Sequence, residues 1–341
     1  MLLKKLEKLL KNFLLFLIKI FLPGKNQKKM SMDWRKFKRI LIFRFDNRLG
    51  NSILILPLIQ SIKNSLPAAK VDVLMTSAFV SIFHNHPGVN EIIPYDQSRL
   101  LKNPLRYLKL IKQMRRNNYN VVFSSSNPNT LSVSQAIFAR LFTNGHSVGF
   151  DWKNSSQIYS DVVPGKTDVH YTQSQVDLWR HFDVKAKYEL PCTYFTENQI
   201  VEQENKVLFW LGATGNKILS AKLVSEILSI LNKEKIDFEL AAGPGDKAIV
   251  SSYGKILRIN VKIMRGSILD TALYFKKFPV IIFPDTGPMH LAVALGIPVI
   301  QIFVNSNSTW YAYKSEKHFL AEDAIVKKQL LQFIWKQIVV E

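Results

Sequence analysis

A single cysteine, Cys192, occurs among the 341 residues of this sequence. One thiol excludes an internal disulfide and a cysteine-built zinc cluster, and it fits a reducing, cytosolic compartment. Acids are also scarce: 26 Asp and Glu face 46 Lys and Arg, a formal net charge of +20. Such a field favours phosphates, acidic lipid surfaces or nucleic acid without choosing among them. No apolar run is long enough to span a bilayer. The most apolar stretch, Phe13 to Leu22, is interrupted by Lys19 and has half of the roughly 20 residues a span needs. No small-residue cleavage site follows, which argues against a signal peptide. A Walker loop and an HExxH motif are both missing. His84 and His86 lack the acidic or cysteine companion that a metal site needs, so no metal is expected. What remains is a globular composition, 47% hydrophobic and 21% charged, with enough length for two domains.

The charge is unevenly placed. Residues 1–39 carry twelve Lys and Arg against Glu7 and Asp33, so half of the excess lies there. The body is only mildly basic, which argues against a nucleic-acid groove in the fold. At the start, Leu2, Leu3, Leu6, Leu9, Leu10, Phe13, Leu14 and Leu17 recur at helical spacing, with Lys4, Lys5, Lys8 and Lys11 largely off that stripe. Pro23-Gly24 breaks the pattern. The spacing predicts an N-terminal amphipathic helix lying on an anionic membrane surface through residues 1–23. A helix packed on the body or on another subunit is the alternative.

Beyond it, apolar strands alternate with amphipathic helices. Strands are expected at Arg39–Phe43, Val71–Met75, 91–94, 120–123, 206–211, Phe238–Ala242, 280–283 and 299–303. Helices are expected over 53–65, 104–117, 131–142, 173–181, 220–231, 247–254, 269–275, 290–295 and 322–339. The pattern weakens around 150–205. Alternation of this kind means βαβ units and a parallel sheet. The expected organisation is a basic segment over 1–37, one doubly wound Rossmann-like domain over 38–190, and a second over 191–341. The two are expected to face each other across a cleft.

Three turns at strand ends could carry chemistry. In Phe283–Pro298 a strand ends, Asp285 and Thr286 form a polar turn, and Gly287-Pro288 opens a helix. Its first-turn N–H groups and its dipole suit an anion, and a side chain at Gly287 would block close approach. A valine there is expected to leave the turn folded. Asp285 would repel a phosphate placed on it, so its carboxylate suits sugar hydroxyls. An ordinary turn with Thr286 as cap is the plainer alternative. Gly212–Lys217 also places glycines and a lysine after a strand; Lys217 would neutralise a phosphate or be a solvated loop residue. Gly243–Ala248 fits the GxGxxA spacing weakly, with Pro244 awkward and no acid at the ribose position. The first loop holds Arg44, Asp46, Arg48 and Gly50, where Asp46 is either a general base or an ion-pair partner of an arginine.

Together these segments resemble glycosyltransferase family 9, the ADP-heptose:lipopolysaccharide heptosyltransferases and their relatives. DTGPMHLAVALGIPVIQIF (Asp285–Phe303) carries the likeness, supported by Ile40–Pro67, by the stretch beginning VDVLM, and by GATGNK followed by AAGPGD. The resemblance implies a GT-B fold and inverting, metal-independent transfer without a cofactor. It implies a nucleotide-sugar donor, a glycolipid acceptor, and a cytoplasmic protein peripheral to the inner membrane. On matching positions it places Thr286, Gly287, Met289 and His290 in the turn that holds the diphosphate. Asp285 falls at the donor sugar, Lys217 at the phosphate and Asp246 at the nucleoside. Arg44, Arg48 and Gly50 fall in the acceptor-side loop. The family's catalytic Asp follows the loop glycine, where this chain has Asn51. An amide accepts no proton at neutral pH, so either Asp46 serves as base, or the transferase works differently, or activity is lost. The leading expectation is a heptosyltransferase. A non-catalytic nucleotide-sugar-binding or scaffold protein of the same fold is the alternative.

Overall fold

The computed structural model describes residues 33–96, 104–152, 155–313, 315–321, 331–334 and 336–337. The helix expected over residues 1–23, and most of the one expected over 322–339, lie outside the described residues. No helix among the described residues is long and apolar enough to cross a membrane.

The first sheet comprises β1 (Arg39–Phe43), β2 (Lys70–Thr76), β3 (Glu91–Tyr95), β4 (Val121–Ser124), β5 (His146–Asp151) and β6 (Asp161–Pro164). Their order is β3-β2-β1-β4-β5-β6, with every pair parallel. Residues 40–43 are inaccessible to solvent, as the uninterrupted apolar run demands of a central strand covered on both faces. Ile42 lies opposite Val73 on one side and Phe123 on the other. The helices of this half of the chain are α1 (Leu49–Ile53), α2 (Leu56–Ser65), α3 (Pro104–Arg116), α4 (Val133–Phe142) and α5 (Tyr171–Arg180).

The second sheet repeats the plan with β7 (Val207–Trp210), β8 (Phe238–Ala242), β9 (Lys262–Ile263), β10 (Val280–Pro284), β11 (Val299–Ile302) and β12 (His318–Ala321). The order is β12-β11-β10-β7-β8-β9, again parallel throughout. Ile282 of β10 lies between Phe209 and Ile300 at the centre of this core. Its helices are α6 (Ala221–Lys233), α7 (Lys247–Leu257), α8 (Ile268–Phe275), α9 (Gly287–Ala294) and α10 (Ser308–Tyr311). Two such doubly wound sheets define the GT-B fold class. In each, the strand order reverses between the first and fourth strands, and ligands of such sheets bind at the carboxyl ends there. Those places are the ends of β1 and β4, and of β7 and β10.

Two expectations need correction. The helix expected over 53–65 is α2, which starts at Leu56, and Leu54 and Ile55 separate it from an additional short helix, α1, that ends at Ile53. Pro57 sits in the first turn of α2, where its missing N–H costs nothing. The stretch around 150–205, where the pattern weakens, begins with the end of β5 and contains β6, and these two strands lengthen the first sheet. The chain clusters into two compact units: Arg48–Leu54, Ser81–Asn85 and Leu190–Glu341 form one, and the remainder the other.

The edge of the first sheet holds a titratable cluster. Asp161 Oδ2 lies 2.8 Å from His146 Nδ1, and Oδ1 lies 3.1 Å from His181 Nε2. The Ser160 hydroxyl donates to Oδ2 as well. Burial alone would raise the carboxyl's pKa, but these bonds outweigh it and hold Asp161 well below the usual Asp range. A depressed carboxylate stabilises the fold above the unfolded-state pKa, about 3.9, and loses that contribution as pH falls toward its folded value. Asp161→Asn should therefore melt below the native protein at neutral pH, with the gap closing under acid. A gap that is constant from pH 7 to pH 3 would remove the carboxylate's charge from the explanation.

Candidate active site

The second unit's switch point is built from two strand ends. β10 ends at Pro284, and Asp285 follows with only 3% exposure. After β7 the chain passes Gly212 and makes a short 3-10 turn over Gly215–Lys217. That turn brings Lys217 Nζ to 2.6 Å from Asp285 Oδ2. The ammonium also stands 5.5 Å from the centre of the Tyr311 ring, a cation–π distance. Asn216 donates its amide to the Asn305 carbonyl at 2.8 Å, tying the lysine turn to the loop after β11. A one-third-exposed lysine beside a buried carboxylate is thus held where a ligand of this sheet type belongs.

Thr286 is the N-cap of α9 but makes no side-chain cap bond, so it is not the ordinary capping residue of the plainer reading. The first-turn N–H groups of a helix have no intrahelical partners. Pro288 lacks one and the N–H of Met289 goes to the Thr286 carbonyl, which leaves that of Gly287 for an anion. The Met289 side chain is fully buried and offers a ligand nothing. His290 is also buried, with Nδ1 2.9 Å from the Tyr313 hydroxyl. Tyr313 in turn is fixed by Gln301, whose amide oxygen accepts from its N–H at 2.7 Å and whose amide nitrogen donates to its carbonyl at 2.8 Å.

Gly287 has a second duty. A Cβ built on it would lie 3.2 Å from the backbone nitrogen of Gly50 and 3.5 Å from the Leu49 Cβ. One built on Gly50 would lie 2.8 Å from His290 Cδ2 and 3.4 Å from the Gly287 Cα. The two glycines are where α1 and α9 pack backbone to backbone. A valine side chain at Gly287 would point at α1 and crowd it, so its effect on ligand affinity is not separable from its effect on the fold. Gly50 is buried inside α1, and the helix belongs to the same compact unit as α9. Gly50→Ala should destabilise the protein by about 1–3 kcal/mol through overpacking against a hydrogen-bonded histidine. Chemical denaturation measures it, and an unchanged midpoint would show that the crossing can open at no cost.

Asp246 closes the turn after β8. Its Oδ2 accepts from the Gly243 N–H at 2.9 Å, while burial pushes its pKa up. A side chain at Gly212 would collide with this carboxylate, so Gly212, Gly243 and Asp246 form one packed corner. Asp246 has a structural task here, whatever else it touches.

The first unit's switch point holds Arg44, directly after β1. Only 4% exposed, it donates from Nη1 to the Ser125 carbonyl at 2.9 Å and the Tyr171 hydroxyl at 2.7 Å. Its Nε donates to Asp46 Oδ2 at 2.5 Å. Burial works against the guanidinium's charge, but Tyr171 and Asp46 outweigh it and raise its pKa. Asp46 is therefore an ion-pair partner of Arg44, with one third of its side chain still open to solvent. Arg48, the exposed N-cap of α1, makes no side-chain cap bond, and Asn51 is half-buried within α1. Tyr171, Tyr311 and Tyr313 carry no motif, and Gln301, though inside the Asp285–Phe303 signature, is given no role by it. Only their contacts reveal them. Among the described residues no group of three His, Cys, Asp or Glu could hold a metal ion.

Two doubly wound sheets with a lysine–carboxylate pair at one switch point suit an enzyme of nucleotide-activated substrates. The family model for glycosyltransferase family 9 (heptosyltransferase) matches residues 107–328, and the chain belongs to that family. It is a glycosyltransferase, as the signature at Asp285–Phe303 led us to expect. Among curated proteins it is 23% identical over 308 residues to lipopolysaccharide heptosyltransferase 1 of Campylobacter coli, covering 81% of this chain and 87% of that one. It is 24% identical to lipopolysaccharide heptosyltransferase 3 of Escherichia coli strain K12, covering 74% and 79%. The fold is that of E. coli heptosyltransferase WaaC solved with ADP-2-deoxy-2-fluoro heptose: TM-score 0.66, 17% identity, 87% and 99% coverage. The E. coli ADP-heptose LPS heptosyltransferase II aligns with a TM-score of 0.68 at 15% identity, covering 89% and 98%.

Proposed function

We propose that this protein transfers a heptose from ADP-heptose to a lipopolysaccharide or related glycolipid acceptor, with inversion and without a metal. The observation that carries this reading is the Lys217–Asp285 pair at the carboxyl ends of β7 and β10, beside the start of α9. When the donor enters, its diphosphate takes Lys217 from Asp285 and accepts the Gly287 N–H. The lysine's positive charge and the helix terminus then stabilise the negative charge that grows on the departing ADP. Asp285, relieved of its partner, bonds hydroxyls of the sugar. Asp46 takes the proton of the attacking acceptor hydroxyl, and Arg44 fixes the direction of that carboxylate. Inversion follows from a single displacement at the anomeric carbon: the acceptor oxygen bonds to it as the ADP oxygen leaves from the opposite face.

The relatives' names support the donor and the acceptor: two are lipopolysaccharide heptosyltransferases, and a further heptosyltransferase of the same fold was solved with ADP-2-deoxy-2-fluoro heptose. A cytoplasmic protein peripheral to the inner membrane, held there by residues 1–23, suits a lipid-borne acceptor. Incubation with ADP-heptose and a heptose-deficient glycolipid, followed by mass spectrometry, tests the reading. A product heavier by one heptose, formed in the presence of a chelator, is expected. Tight ADP-heptose binding with no product would mean a non-catalytic nucleotide-sugar protein instead.

A further inference from the structure

We propose that the outward face of α3 is a lipid-docking surface that seats the first unit on an anionic membrane, separately from residues 1–23. The helix reads PLRYLKLIKQMRR and contains no acidic residue. Its inward side is settled by Met114, fully buried, with Leu110 and Ile111 packed on the same core. At 100° per residue, Leu105, Leu108, Lys109, Lys112 and Arg116 fall on the side away from Met114, while Arg115 lies on the flank and donates to the Leu141 carbonyl. Leu105 and Leu108 are 65% and 63% exposed. A helix on a soluble surface directs its leucines inward and its charges outward. Here the outward side has both. One exposed leucine needs no explanation, but two neighbours one turn apart, set among cations and no acids, match a helix that inserts apolar side chains between anionic headgroups.

Topology adds a second argument. From Arg116 the chain passes through residues 117–120 to the amino end of β4, so α3 runs antiparallel to the strands. Its first turns, with Leu105 and Leu108, therefore lie toward the carboxyl ends of the sheet, the end that holds Arg44, Asp46 and Ser125. An anionic bilayer at that end would present a lipid-borne acceptor to this unit's switch point. The charge complementarity selects acidic lipid, and the exposed leucines set it apart from a polyanion bound by charge alone. The purpose of the surface rests on the glycolipid-acceptor reading; its binding of lipid does not.

The test uses the full chain with Cys192→Ser and Leu108→Cys, labelled at the new thiol with a polarity-sensitive fluorophore. Vesicles of phosphatidylcholine and phosphatidylglycerol should shift the emission to the blue, and phosphatidylcholine alone should not. Leu105→Gln/Leu108→Gln and Lys109→Glu/Lys112→Glu, with unchanged melting curves, should each weaken vesicle partitioning by about tenfold or more, the second loss fading in high salt. Pelleting with vesicles while the label stays in water would overturn the proposal and leave binding to another part of the chain. A blue shift without vesicles that grows with protein concentration would instead mean a second copy on this face, and would equally overturn it. Transfer to a water-soluble acceptor should be unaffected by either double variant. Label insertion in a chain that transfers no sugar at all would sink the enzymatic reading while leaving the docking surface standing.

Discussion

Lys217→Ala should lower sugar transfer by about 10²- to 10³-fold and also weaken the fold. The rate loss is that of removing one preorganised group from the charge that develops on the leaving ADP. The stability loss has a different origin. Asp285 is almost entirely buried, and without Lys217 its carboxylate stays in that environment with no ion partner. Breaking a buried pair from the cationic side costs about 3–5 kcal/mol. The reverse change is milder, because Lys217 is one third exposed and can turn to water when Asp285→Asn removes its partner. That variant should lose no more than about 1 kcal/mol. Denaturant unfolding of both variants reads the asymmetry, and equal losses would contradict it. Lys217→Arg should keep most of the stability and recover part of the rate. A Lys217→Ala enzyme with full kcat would take the lysine out of the diphosphate site.

The second large effect concerns proton removal. Asp46→Asn should reduce kcat by about 10²- to 10⁴-fold, the usual contribution of a positioned general base. The amide oxygen can still accept from Arg44 Nε, which keeps the loop's geometry, but the buried guanidinium loses its ion partner, so the melting temperature should fall somewhat as chemistry is lost. ADP affinity, read by calorimetry, should not change, because Asp46 belongs to one compact unit and the proposed diphosphate site, Lys217 with the start of α9, to the other. If Asp46→Asn retains native turnover, the base lies elsewhere and the ion pair with Arg44 is purely structural.

Much of this was legible before any coordinates. Arg39–Phe43 and Phe238–Ala242 occur at the expected limits, because central parallel strands are apolar on both faces and need no alternation. The turn between β10 and α9 was legible from its Gly-Pro opening and its family signature. β6 and β12 were not, since edge strands of four residues carry mixed polarity and look like loop. Gln301 is an inconspicuous polar residue within an apolar strand, yet it holds the loop that brings Tyr313 to His290.

By itself, the sequence determined the class of protein: two βαβ-built sheets, a family signature at a strand–helix turn, and a chain whose charge is concentrated at its start. Those properties are local, set by which residues follow one another along a strand, a turn or a helix. Only the tertiary structure decided that Lys217 meets Asp285, that Arg44 takes Asp46 as its partner, and that Gly50 and Gly287 are spent on each other. Asp46 is only two residues from Arg44 and is held by that arginine's burial, whereas the lysine–carboxylate and glycine–glycine contacts depend on where a parallel sheet places strand ends and helices that are distant in the chain. Sheet order and side-chain burial fix that distance, and no spacing along the sequence encodes it.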